Sequence, residues 1–207
     1  MCYRVEMKMD IREIGKRFKV VADNPNSTLF ETELSGFNYP VLPVITNENS
    51  HLLSLEHSWG LIPGWCKDES IRKNTLNARL ETLAEKPAFK NYVGNRCLVL
   101  ATGYFEWRWN DEKGKSKQKY AIHHASADAF AFAGLYSSWN EPTGRIRKTF
   151  TIVTTGANEQ MRYIHNTKQR MPLMLNPGDE EAWLDAKNEV SAFAYPDYDA
   201  QLVAFPV

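Results

Sequence analysis

Four groups of residues in this 207-residue chain carry side chains able to do chemistry. The first is Met1-Cys2. Removal of an initiator Met favours a small second residue, and it would leave a cysteine bearing both a free α-amine and a thiol. With reference pKa values of ~7.7–8.0 and ~8.5, useful fractions of both are unprotonated near neutrality. The amine condenses with an aldehyde to a Schiff base, and the neighbouring thiolate can then close a five-membered thiazolidine. Taken alone, Cys2 is also simply the second residue of a chain.

The second group is Trp59-Gly60-Leu61-Ile62-Pro63-Gly64-Trp65, followed by Asn77-Ala78-Arg79-Leu80-Glu81-Thr82. Two Trp around Gly and Pro make a stiff turn whose flat faces could stack on splayed bases, or one that lines a core. Asn77 precedes a helix-like run, where it would serve as N-cap. Arg79 in the first turn would oppose the helix dipole, which suggests a partner. The third group is Gly103-Tyr104-Phe105-Glu106-Trp107. Strand alternation puts Tyr104 and Glu106 on one face, and in an apolar pocket Glu106 would have a raised pKa suited to moving protons. On an exposed face it would be an ordinary surface carboxylate. The fourth is His165, with Arg170-Met171-Pro172 downstream. The histidine is either a capping residue or part of a Cys-His-Asn nucleophile set.

These groups need elements to hold them. Short segments rich in β-branched and aromatic residues dominate: Tyr3–Met9, Tyr39–Thr46, Leu52–Ser58, Cys97–Ala101, Tyr104–Trp109, Tyr120–His124, Ala129–Trp139, Thr149–Thr154 and Gln201–Phe205. Helical patterns cover Asp10–Phe18, Ala78–Glu85, Ala157–Ile164 and Asp179–Ala186. The polar run from Asn110 to Gln118 reads as a hairpin tip. The expectation is one α+β domain over 1–207, with a mainly antiparallel, barrel-like sheet core and several short peripheral helices. No GxGxxG or P-loop is present.

Composition narrows the class. The 25 basic residues balance 25 acidic ones, and apolar residues make up 43%. The chain is thus globular and no general polyanion binder. No stretch approaches a membrane span, and no export signal is evident. Three scattered cysteines (Cys2, Cys66, Cys97) read as reduced thiols in a cytoplasm-like compartment. His123 and His124 fall on a strand, where their side chains diverge, so neither a zinc site nor an organic cofactor is expected.

Taken in order, the four groups resemble the SOS-response-associated peptidase family, whose proteins crosslink covalently to abasic sites in single-stranded DNA. The matching residues are Met1-Cys2 with Arg4, the Ser58–Trp65 stretch, Asn77–Thr82, Arg96-Cys97-Leu98 leading into Gly103–Trp107, Phe150–Thr155, and His165 with Arg170-Met171-Pro172. They span nearly the whole chain. Tyr3 stands where the family usually has Gly. Four residues, not one, separate His165 from Arg170, and Val99 replaces a usual Pro.

The resemblance implies that Cys2, freed of Met1 by an aminopeptidase or by the protein itself, captures the ring-opened sugar aldehyde. Glu106 would shuttle protons, Asn77 would hold the amine or a sugar oxygen, and His165 would act as acid or base, with lyase activity or crosslink reversal as further outcomes. Arg4, Arg79 and Arg170 would grip flanking phosphates, and the turn carrying Trp59, Pro63 and Trp65 would wedge or stack bases. The implied partner is single-stranded DNA with abasic sites, bound by a monomer in the cytoplasm, with replication-machinery partners unspecified. Three rivals follow from the residues: an N-terminal-nucleophile amidohydrolase, a cysteine peptidase using Cys2, and a non-covalent single-strand binder. Local basic residues (Arg4, Arg72, Lys73, Arg79, Lys168, Arg170), with acids gathered elsewhere at Glu31–Glu33 and Asp179–Glu181, suggest a basic groove hidden in a neutral total.

Overall fold

The computed structural model describes residues 2–24 and 31–207. Its early strands are β1 (Arg4–Met7), β2 (Val21–Ala22), β3 (Glu31–Ser35), β4 (Val44–Thr46), β5 (Leu52–Leu53), β6 (Ser58–Trp59) and β7 (Asn77–Arg79). Long central strands follow: β8 (Arg96–Ala101), β9 (Gly103–Trp109), β10 (Lys117–His124), β11 (Phe130–Asn140) and β12 (Ile146–Gly156). The last are β13 (Arg170–Pro172), β14 (Met174–Leu175) and β15 (Leu202–Pro206). The helices are α1 (Ile11–Phe18), α2 (Glu159–Ile164) and α3 (Glu180–Leu184).

One sheet runs β15-β10-β9-β1-β3. A second runs β13-β12-β11-β8-β4, with β14 added to β11 and β6 and β7 added to β12, and β2 pairs with β5 in a small two-stranded sheet apart from these. The expected mix of many strands and short helices is present, but the barrel is not. Each sheet ends in edge strands, so the two large open sheets face one another across the core. Only Thr102 separates β8 from β9, and the chain therefore steps from one sheet to the other within a single residue. Thr102 stays in place because its backbone N–H and its hydroxyl both donate to the Glu6 carbonyl. Tyr104 and Phe132, from the two sheets, meet edge-to-face at 5.6 Å between ring centres.

The predicted helix Ala78–Glu85 is absent. Asn77–Arg79 is instead a strand, parallel to β12 through Ile152↔Asn77, Val153↔Ala78 and Thr154↔Arg79, and a single 3-10 turn, Leu80–Thr82, follows. Asn77 is therefore no N-cap, and Arg79 opposes no helix dipole. The unfilled edge of β12 outweighs the modest helix propensity of Ala-Arg-Leu-Glu. Where local signals were strong they held. Asp10 caps α1, its carboxylate accepting from the Glu13 N–H while the Glu13 carboxylate accepts from the Asp10 N–H. Asn158 caps α2 by accepting from the Met161 N–H. No helix among the described residues is long and apolar enough to cross a membrane.

Candidate functional site

The pairing of β1 with β9 begins the site. Val5 lies opposite Tyr104 and Glu6 opposite Gly103. Carrying that antiparallel register back two residues sets Tyr3 level with Glu106, and Cys2 is next in line. Cys2 is fully buried, and its carbonyl accepts from the Asn77 side-chain amide at 2.9 Å. The short strand β7 thus does one specific thing: it brings Asn77 from the β12 side to the chain's beginning. The amide oxygen of Asn77 is buried and has no hydrogen-bond donor among the described residues, so it offers an acceptor in the same place.

Glu106 is 5% exposed on the inward face of β9, beside Tyr104. Burial is the main cause that raises its carboxyl from 4.5 to about 7, while the positive amino terminus and the Trp107 backbone pull it back. Burial also pushes the Cys2 thiol far above its ordinary range, and the Glu106 carboxylate pushes it further. At neutral pH the thiol is therefore protonated, next to a carboxylate poised to take a proton.

His165 sits at the end of α2 and is buried. Burial lowers it from 6.5 to about 4, with the positive amino terminus acting in the same direction. Its Nδ1 accepts from the Arg170 backbone N–H at 3.2 Å. The neutral ring therefore carries its proton on Nε2.

The residues expected to grip phosphates are largely engaged already. Arg4 donates to Glu33 at 2.7 Å and lies 5.6 Å from the Trp107 ring centre, and Lys119 reaches the other Glu33 oxygen at 2.6 Å. Arg170 makes a two-pronged contact with Glu81 at 2.6 and 2.9 Å and also reaches the Thr154 carbonyl. Arg72 is interior, donating to Ser58, the Trp59 carbonyl and Glu69. Arg79, Lys73 and Lys168 are exposed. The expected segregation of acids away from the basic residues thus fails at Glu33, a spatial neighbour that sequence separation hides.

The two tryptophans of the turn part company. Trp59 is fully buried, stacked on Phe150 and donating its indole N–H to the Leu76 carbonyl at 2.7 Å. Gly36 packs on that ring so closely that a Cβ there would come within 3.1 Å. The expectation that Trp59 presents a face to bases is therefore corrected: it anchors the turn from the core. Pro63 is buried too. Trp65 is 58% exposed, and the Gly64 N–H before it is held by the Tyr92 hydroxyl at 2.6 Å. The turn is thus fixed at its base and presents one ring. Sequence reasoning missed Glu33, Glu81 and Lys119 as partners of the site. Glu81 stood inside the Asn77–Thr82 stretch already singled out, and Glu33 stood among the acids expected to lie elsewhere, while nothing pointed to Lys119.

The whole chain is similar to known proteins. The family model for SOS response associated peptidase (SRAP) matches residues 1–207. The abasic site processing protein YoqW of Bacillus subtilis (strain 168) is 37% identical over 199 residues, covering 96% of this chain and 84% of that protein. The abasic site processing protein HMCES of Gallus gallus is 33% identical over 164 residues, covering 67% of this chain and 47% of that one. A crystal structure of a protein from Bacteroides thetaiotaomicron matches with TM-score 0.90 at 33% identity, covering 100% of this chain and 92% of that one.

Proposed function

The chain belongs to the SOS response associated peptidase family, and from that premise we propose that it captures abasic sites in single-stranded DNA covalently through Cys2 once Met1 is removed. The observation that carries the proposal is the buried Glu106 carboxyl, held near pKa 7 against a buried, protonated Cys2 thiol. The α-amine, with a reference pKa of ~7.7–8.0, is the better first nucleophile. It adds to the ring-opened sugar aldehyde to give a carbinolamine, and Glu106 in its acid form protonates the departing hydroxyl, releasing water and leaving the protonated imine. The Glu106 carboxylate then takes the thiol proton as sulfur adds to the iminium carbon. That transfer restores the acid form of Glu106 and leaves a neutral ring nitrogen, so the net change is aldehyde plus aminothiol giving thiazolidine plus water. A carboxyl titrating near the working pH serves both directions of transfer.

Asn77 holds the Cys2 carbonyl and thereby aims the amine. His165, neutral with its proton on Nε2, acts as a hydrogen-bond donor to a sugar oxygen. A cysteine peptidase would use a thiolate–imidazolium pair. Burial pushes both groups the opposite way, favouring neutral thiol and neutral imidazole, which argues for aldehyde capture over that rival.

The test is a denaturing gel of the Met1-free protein, confirmed by intact mass, with an abasic single strand. A stable adduct is expected from the natural chain and none from Cys2→Ala; equal yields from both would refute the proposal.

A further inference from the structure

Four residues stand between His165 and Arg170, and the structure gives that loop a distinct anchorage. Gln169 adopts a left-handed conformation (φ 50°), its N–H returning to the His165 carbonyl at 3.0 Å. The following N–H, of Arg170, then meets His165 Nδ1. Asn166 faces a different element. Its side-chain oxygen accepts from the Trp109 N–H at 3.1 Å, and its side-chain nitrogen donates to the Trp109 carbonyl at 2.9 Å. One amide group thus pairs with both backbone groups of a strand residue, as a neighbouring strand would. Trp109 ends β9, the strand that carries Glu106 three residues earlier. Two further ties join the same pair of elements: the Arg108 guanidinium donates to the Tyr163 carbonyl, and the Tyr104 hydroxyl meets Met161 Sδ at 3.5 Å.

We propose that Asn166 is a positioning residue, locking the end of α2 onto β9 so that His165 and Glu106 keep a fixed separation across the longer loop. The inference rests on the aldehyde-capture reading of the site. Asn166 touches neither reacting group; it acts through Trp109 on one side and through the adjoining His165 on the other. A buried histidine whose loop is pinned in this way keeps its Nδ1 on the Arg170 N–H and so a single tautomer. With the pin removed, the loop and the ring have other arrangements available.

The experiment uses the full, Met1-free chain with Asn166→Ala and Asn166→Asp. The Asp variant keeps the acceptor for the Trp109 N–H but sets an oxygen against the Trp109 carbonyl, and it serves where the Ala variant does not fold. Two quantities are read: the single-turnover rate of adduct formation with an abasic single strand, and the imidazole nitrogen NMR signals of His165. Displacements near 1 Å between reacting groups cost up to about a hundredfold in rate, so a loss of about tenfold or more is expected, with unchanged affinity for an undamaged strand. The His165 signals should change from one Nε2–H tautomer to a mixture. A folded variant that forms adduct at the natural rate would overturn the inference. Should the natural chain form no adduct, the aldehyde-capture reading fails by itself, and an unchanged His165 spectrum in the variants still overturns the role given to Asn166.

Discussion

Replacing Glu106 by Gln should make the protein more stable and less active at once. Folding holds the Glu106 proton more tightly than the unfolded chain does, with a pKa of about 7 against 4.5. Between those values the folded state keeps a proton that the unfolded chain has released, so stability falls as pH rises through that window and levels off above it. At about 1.4 kcal/mol per tenfold change in proton affinity, the loss between pH 5 and pH 8 is about 2–3 kcal/mol. Gln has the same shape and never ionises, so it escapes the loss. In thermal melts, the Tm of Glu106→Gln relative to the natural chain should therefore rise by about 5–10 °C between pH 5 and pH 8. Taking the difference between two pH values cancels contributions that do not titrate, including any change in hydrogen bonding. In the adduct assay at pH 7 the same variant should be slower by about 10²–10⁴, the usual worth of a positioned acid–base group. Parallel melting of the two proteins across pH would refute the burial argument, and an adduct rate equal to the natural one would refute the proton-shuttle role.

The turn offers a paired contrast. Trp59→Ala should cost about 3–5 kcal/mol in a denaturant titration, the range for an aromatic lost from a core. Trp65→Ala should leave stability within about 0.5 kcal/mol yet weaken binding of a short single strand by about 1–3 kcal/mol in fluorescence anisotropy. Glu81→Gln should cost less than about 1 kcal/mol of stability, since Glu81 is partly solvated. It should also release Arg170 for phosphate, so that single-strand affinity rises and its salt dependence steepens by about one phosphate contact.

Much of this site was legible because its cues were local. The Asp10–Glu13 cap, the turn between β9 and β10 and the shared face of Tyr104 and Glu106 all follow from residues a few positions apart, whereas only the packed structure turns that face inward. The failures share a different cause. Asn77–Arg79 became a strand because β12, more than seventy residues later, has room for a parallel neighbour. Arg4 is neutralised by Glu33 and Arg170 by Glu81 across separations of 29 and 89 residues, which no charge count along the chain can pair. Trp59 and Trp65 look alike as letters. Only the hydrogen bond to Leu76 and the close approach of Gly36 reveal which one is anchored.

The carboxylates that hold Arg4 and Arg170 also bear on how a lesion would be found. On the proposed reading, a phosphate arriving at either guanidinium must displace Glu33 or Glu81, so contact with an intact strand is an exchange of near equals. Residence on undamaged DNA is then brief, and the protein is returned to solution to sample elsewhere. Discrimination would be kinetic: at each encounter, bond formation at Cys2 races against departure. A tighter electrostatic grip would slow the search without making the final choice any more accurate.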